Sequence, residues 1–297
     1  MSMAKIGLAK MGMAKMGLTK MSFVNMGLLS RRLAVLTFLI SFLALAASCG
    51  TVADSIVIVA GSTSVQPYAE VLAEDYALIR PEVEVDVQGG GSSAGITAAR
   101  SGTADIGMSS RHLKDSESDL WSVEIALDGL AVIIHPSNPI NDLPLERIMD
   151  IYTGSIVNWR DLGGADANIH VIAREESSGT RSAFEELVMN KKTITPKAIV
   201  QDSNGAVRQL VSGDRHAIGF ISLGLVDDSV KAIALGGVKA TLENVQNLTY
   251  KLYRPFLLVC SHEPEGANKE FIDFILSAEG RRILTSEGLI TKNGGEK

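Results

Sequence analysis

From Asp54 onward, short apolar runs rich in β-branched residues alternate with segments whose apolar positions recur at helical spacing. Ser55 to Ala60 (SIVIVA) has the length and composition of a buried strand. After Gly61-Ser62-Thr63-Ser64, residues Val65, Tyr68, Ala69, Leu72 and Tyr76 fall on one face of a helix reaching about Ile79, with Pro67 in the first turn, where a missing N–H is tolerated. Val83 to Val87 (VEVDV) alternates as a strand, and Gly89-Gly90-Gly91-Ser92-Ser93 opens a short helix through Ile96 and Ala99 that stops at Gly102. Ala104 to Met108 predicts a third strand, ending at Ser109-Ser110-Arg111. Leu130 to His135 (LAVIIH) predicts a fourth, and the punctuated Pro136-Ser137-Asn138-Pro139 after it is where a crossing between two lobes is expected.

The second half repeats the pattern. A helix over Pro144 to Tyr152 precedes a strand at Ile169 to Ala173, then the polar stretch Arg174 to Arg181 (REESSGTR), then a helix with Ala183, Phe184, Leu187 and Val188 on one face. A helix at Ala206 to Val211, a strand at Ala217 to Ser222 and a long strand at Tyr250 to Cys260 follow, with terminal helices near Asn268 to Leu276 and Ala278 to Thr285. Such alternation implies an α/β protein with a mostly parallel sheet. We expect two lobes joined by more than one crossing strand, with a ligand cleft between them. The expected division is 1–48 as a signal segment, 49–133 with 254–297 as one discontinuous lobe, and 134–253 as the other.

The first 48 residues differ in kind. They carry Lys5, Lys10, Lys15, Lys20, Arg31 and Arg32 but no acidic residue, and an apolar run from Leu33 to Ala47 follows the basic part. That is the make-up of a secretory signal, and the run is shorter than the ~20 residues a membrane-spanning helix needs. The repetitive Met-Gly-Leu and Ala-Lys theme ahead of it suggests Met21 or Met26 as the initiator. Ala46-Ala47-Ser48-Cys49 resembles a lipoprotein box, which implies lipidation at Cys49 and an anchor on the outer face of the cytoplasmic membrane. Cys260, the only other cysteine, then has no partner, and within FLLVC it reads as a buried small hydrophobe. Without the signal segment the body carries 22 basic against 34 acidic residues, near −12, which argues against nucleic acid as a partner.

Against that acidic background, three Gly/Ser/Thr loops stand between a strand and a helix. Each presents unpaired N–H groups and hydroxyls where the helix dipole is positive, a setting that favours an anion. One dipole contributes only about 0.3–1 kcal/mol at an exposed site, and one such turn alone is an ordinary helix cap. A micromolar site requires about 8 kcal/mol, and hydrogen bonds to charged groups contribute roughly 1.5–3 kcal/mol each, so several loops and an arginine must converge. The five histidines show no HExxH-like or paired spacing, and neither a metal nor a cofactor is implied.

GSTSVQPYAE, GGGSSAGITAARSGTADIGMSSR, REESSGTRSAF and GAVRQLVSGDRHAIGFISLG, in that order, resemble the extracytoplasmic phosphate-binding proteins of Pst-type ABC importers. The resemblance implies the type II periplasmic-binding-protein fold, two α/β lobes closing on inorganic phosphate and delivering it to membrane permease subunits, with the binding protein a monomer. It implies ligand contacts from Thr63 and Ser64, including the Ser64 N–H, from Ser92, and from Arg174, Ser178, Gly179 and Thr180. Where some members carry an aspartate that accepts from protonated phosphate, the register has Ser110, followed by Arg111. Ser93, Arg111 and Arg181 are further candidates, and Arg181 equally suits a pair with Glu185 one turn on. Glu176 occupies the register of an acidic residue that pairs with the ligand arginine, and Glu175 reads as solvated. Another tetrahedral oxyanion, such as sulfate, molybdate or tungstate, is the nearest alternative. A secreted serine hydrolase is the alternative from a different class, but no histidine–carboxylate pairing is indicated.

Overall fold

The computed structural model describes residues 55–291, so the signal segment and Cys49 lie outside the described residues. β1 (Ser55–Gly61) leads through α1 (Gln66–Ile79) to β2 (Val83–Gly89), and then through α2 (Ser92–Ser101) to β3 (Ile106–Ser109). β1 pairs in parallel with both neighbours. After β4 (Trp121–Ile134), β5 (Asp142–Leu143) and α3 (Leu145–Thr153), the motif recurs as β6 (His170–Arg174), α4 (Gly179–Leu187), β7 (Ile199–Gln201), α5 (Asn204–Gly213) and β8 (Ala217–Ser222). Here β6 pairs in parallel with β7 and β8. Short β9 (Lys231–Ala232), β10 (Ala234–Leu235) and α6 (Leu242–Gln246) precede β11 (Tyr253–Cys260), α7 (Gly266–Leu276) and α8 (Ala278–Ser286).

The main sheet runs β2-β1-β3-β11-β4-β8-β6-β7, with β9 added on β4. Two parallel triplets are therefore joined by β11 and β4, which are antiparallel to each other and to the triplet beside them. The expected parallel sheet holds within each lobe and gives way at the junction, because two strands running between the lobes must traverse it in opposite directions.

Each lobe has its own core. The first packs the anticipated face of α1 (Tyr68, Ala69, Leu72, Tyr76) against Val57 and Val59 of β1 and against Phe271 and Ile275 of α7. The second gathers Tyr152, Trp159, Phe184 and Phe220, with the Phe184 and Phe220 rings stacked at 4.1 Å between centroids. β4 contributes Ile125 and Ala126 to the first core and Leu130, Val132 and Ile134 to the second. The core thus changes within β4 rather than at Pro136 to Pro139, since a 14-residue strand alternating in-and-out serves both cores without a break. The nine residues Trp121 to Gly129 of this strand were not anticipated as strand, nor were the short β5, β7, β9, β10 and α6. Cys260 is buried at the end of β11, and burial pushes its thiol up to about 11.

Candidate functional site

Four helix N-termini meet where the lobes face each other. α1 and α2 come from the first lobe, and α4 and α5 from the second, each following directly on a parallel strand. The hydroxyl side chains placed there are buried: Ser62, Ser64, Ser92, Ser110, Ser178 and Thr180 are each 2% exposed or less. Ser64 Oγ and Thr180 Oγ1 lie 2.7 Å apart, and Asn204 Nδ2 donates to Ser64 Oγ at 2.8 Å. The Ser110 N–H donates to Ser92 Oγ at 3.0 Å, and their hydroxyl oxygens are 3.3 Å apart. The Ser64 N–H is engaged by Ser62 Oγ at 3.2 Å, and Ser178 Oγ caps α4 by accepting from the Arg181 N–H at 3.2 Å. Gly179 sits so close to the opposite lobe that a Cβ there would meet Ser92 Oγ at 2.1 Å and Ser110 Oγ at 2.6 Å. Only a residue without a side chain lets these two loops approach.

Arg174 ends β6 and is 1% exposed. Its Nε donates to Glu175 Oε2 at 2.9 Å, and its Nη2 donates to Glu175 Oε1, Thr63 Oγ1 and the Asp202 carbonyl, each at 3.0 Å. Nη1 is buried and has no hydrogen-bond partner among the described residues. A guanidinium has five N–H donors, so the two on Nη1 of Arg174 remain uncommitted.

Thr63, Ser64, Ser92, Ser110, Arg174, Ser178, Gly179 and Thr180 are thus brought together. Three of the remaining expectations need correction or refinement. The carboxylate that holds Arg174 belongs to Glu175, whereas Glu176 is exposed. The Ser178 N–H donates to the Glu175 carbonyl, closing a turn that puts Glu176 on its outer corner. Arg181 donates from Nε to Glu185 at 2.8 Å and from Nη1 to the Arg174 carbonyl at 3.0 Å, so it braces the backbone of Arg174. Arg111 is committed to Glu117 through two hydrogen bonds of 2.7 and 2.9 Å, and reaches only Ser93 Oγ at 3.4 Å toward the cleft. That arginine holds the Glu117 carboxyl below its usual range, by hydrogen bonding that outweighs burial.

Sequence reasoning missed the fourth loop. Gln201-Asp202-Ser203-Asn204 is again a strand end leading to a helix start, and it supplies Asn204, 1% exposed, and the Asp202 carbonyl. It also missed Asp128 and Arg254, buried opposite each other on β4 and β11. The signal was there: one charge of each sign within otherwise apolar strands, ALDGLAVII and YRPFLLVC. Burial raises the Asp128 carboxyl and lowers the Arg254 guanidinium, while their mutual attraction opposes both shifts.

Two features bear on hydrolysis. Gly91-Ser92-Ser93-Ala94-Gly95 has nucleophile-elbow spacing. Yet the hydroxyl of Ser93 faces Arg111 Nη2, and no histidine hydrogen-bonds it among the described residues. His170 does pair with a carboxylate, Asp214, at 2.6 Å, against expectation, because pairing of β6 with β8 joins residues 44 apart in sequence. His170 begins β6 while Arg174 ends it, about 13 Å away at ~3.3 Å per residue.

A family model for the PBP superfamily domain matches residues 46–279. The phosphate-binding protein PstS of Borreliella burgdorferi is 31% identical over 251 residues, covering 80% of this chain and 90% of that one. The PstS of Bacillus subtilis is 28% identical over 281 residues, covering 87% and 93%. The chain belongs to the PBP superfamily, among the Pst-type phosphate-binding proteins. Like other members it has the two-lobe α/β fold. A phosphate ABC transporter substrate-binding protein of Clostridium perfringens, solved with bound phosphate, superposes with a TM-score of 0.78 at 48% identity, over 80% of this chain and all of that one. An ABC-type phosphate transport receptor of Vibrio cholerae gives 0.69 at 41% identity, over the same shares.

Proposed function

We propose that this protein is the extracytoplasmic substrate-binding component of an ABC importer, capturing inorganic phosphate between its lobes and handing it to permease subunits. The observation that carries this reading is the Arg174 Nη1 group, buried and without an acceptor among the described residues, on a guanidinium that bonds Thr63 of the other lobe, next in sequence to the buried Ser64 that meets Thr180. In this reading Thr63, Ser64, Ser92, Ser110, Ser178, Gly179 and Thr180 surround the anion with hydroxyl and N–H donors, and Arg174 supplies the charge. Glu175 keeps the guanidinium in one pose, which lowers the ordering cost of binding. Closure on the ligand follows from the geometry, since Ser64 with Thr180 and Thr63 with Arg174 are pairs between the two lobes. The relatives, two phosphate-binding proteins and a phosphate ABC transporter substrate-binding protein, support the same ligand and transporter class. The lobes we assign follow the expected division into 49–133 with 254–297 and 134–253, except that the first boundary moves back into β4, between Ala126 and Leu130. A signal segment over residues 1–48, lipid at Cys49 and a monomeric state complete the proposal.

Equilibrium titration of the protein after removal of carried-over ligand tests it. One saturable phosphate site and no turnover is the expected result, and tighter binding of sulfate, molybdate or tungstate would instead favour the oxyanion alternative.

A further inference from the structure

Asp128 and Arg254 form an ion pair on the two strands that join the lobes, 1% and 2% exposed respectively. Arg254 Nε and Nη2 both donate to Asp128 Oδ2, at 3.0 and 2.9 Å, while Asp128 Oδ1 accepts from Ser222 Oγ at 2.6 Å. Ser222 N–H in turn donates to Asn204 Oδ1 at 3.3 Å, and the Asn204 amide reaches Ser64. The pair is therefore tied to hydroxyls of both lobes. The remaining nitrogen, Arg254 Nη1, faces Ser110 Oγ at 3.4 Å. Ser110 Oγ also accepts from Ser62 Oγ at 2.9 Å, and Ser62 Oγ takes the Ser64 N–H. A hydroxyl has two lone pairs and one proton. With the Ser62 proton and the Arg254 cation both on its oxygen, Ser110 has only its own proton left, to be given to a ligand or to Ser92 Oγ at 3.3 Å.

We propose that Arg254 is a specificity-determining positioning residue: held by Asp128, it fixes the Ser110 hydroxyl as a donor, so that the cleft selects the more deprotonated form of its oxyanion. This rests on the reading of the cleft as a phosphate site and adds which protonation state it takes. The charged and titratable groups facing Arg254 are Asp128 on β4, Arg174 on β6 and the Tyr68 phenol on α1, with the Phe256 ring 5.5 Å from its guanidinium carbon. Of these, burial moves the Asp128 carboxyl toward neutral pH and the Tyr68 phenol away from it. Asp128 is accordingly neutralised in one of the variants below.

The test is the phosphate dissociation constant from about pH 5.5 to about pH 8.5 for the wild type, Ser110→Ala, and the double variant Arg254→Met/Asp128→Asn. A site that takes only the dianion loses affinity by about tenfold per pH unit where the monoanion dominates. We expect Ser110→Ala to bind roughly ten- to hundredfold more weakly, with the same dependence on pH, since a donor has been removed and no acceptor lost. The double variant frees Ser110 to accept from a protonated phosphate, so its pH dependence flattens. A steeper dependence in Ser110→Ala would mean that Ser110 accepts, and a double variant parallel to the wild type would mean that Arg254 does not set its role; either overturns the proposal. If the double variant fails to fold, the Ser110→Ala comparison decides alone. A wild type that binds no phosphate at any pH fails the functional reading first, an outcome distinct from both.

Discussion

Arg174 is oriented by one carboxylate, one hydroxyl and one carbonyl, and its Nη1 edge is buried without an acceptor among the described residues. A lysine cannot make this fork, so Arg174→Lys is expected to weaken phosphate binding by roughly ten- to hundredfold by calorimetry, with the fold retained. The two neighbouring carboxylates separate the roles sharply. Glu175→Gln should weaken binding several-fold by loosening the guanidinium, whereas Glu176→Gln, on the exposed corner of the turn, should leave it unchanged; the reverse ranking would contradict the assignment. At Glu117 the consequence is for stability. Its carboxyl is lowered by Arg111, so it contributes stability above its unfolded value that is lost as pH falls through its own lowered value. Glu117→Gln should therefore make acid unfolding less steep in the range below ordinary carboxylate values, measured by circular dichroism.

Among the elements, the α2 and α4 loops approach closely enough that a single methyl decides the outcome. Gly179→Ala would place a Cβ on Ser92 and Ser110, so we expect loss of phosphate binding with little change in thermal unfolding of the unliganded protein. Retained affinity would show that the loops can separate without consequence. The strand–loop–helix units were legible because each carries a clear period and a Gly/Ser interruption, as in SIVIVA-GSTS and IHVIA-REESSG. The first half of β4 was not, since Glu124, Asp128 and Gly129 interrupt its apolar pattern and its partner β11 lies more than a hundred residues away. β5, β7, β9 and β10 are two or three residues long and exist only by pairing, so no local period marks them. The same distinction runs through the site. Residues within the motifs were found, while Asn204, Asp128 and Arg254 owe their positions to the packing of separate elements. The carboxylate beside Arg174 was placed one residue too far along because only the turn geometry decides between Glu175 and Glu176.

Across residues 55–291, the two lobes are joined by two antiparallel strands, and the proposed anion site lies between them. A ligand that bonds both lobes stabilises the closed protein by about 2.7 kcal/mol at a hundred times its dissociation constant, which for a chain of this size raises the melting temperature by several degrees. In the proposed function the cleft holds one phosphate through Arg174 and the surrounding hydroxyls. Calorimetric titration of the ligand-stripped protein with phosphate, beside Arg174→Met, tests this most directly. One saturable site in the wild type, and its loss in the variant with the fold intact, is the expected result. An absence of phosphate binding in the wild type, or unchanged binding in Arg174→Met, would contradict it.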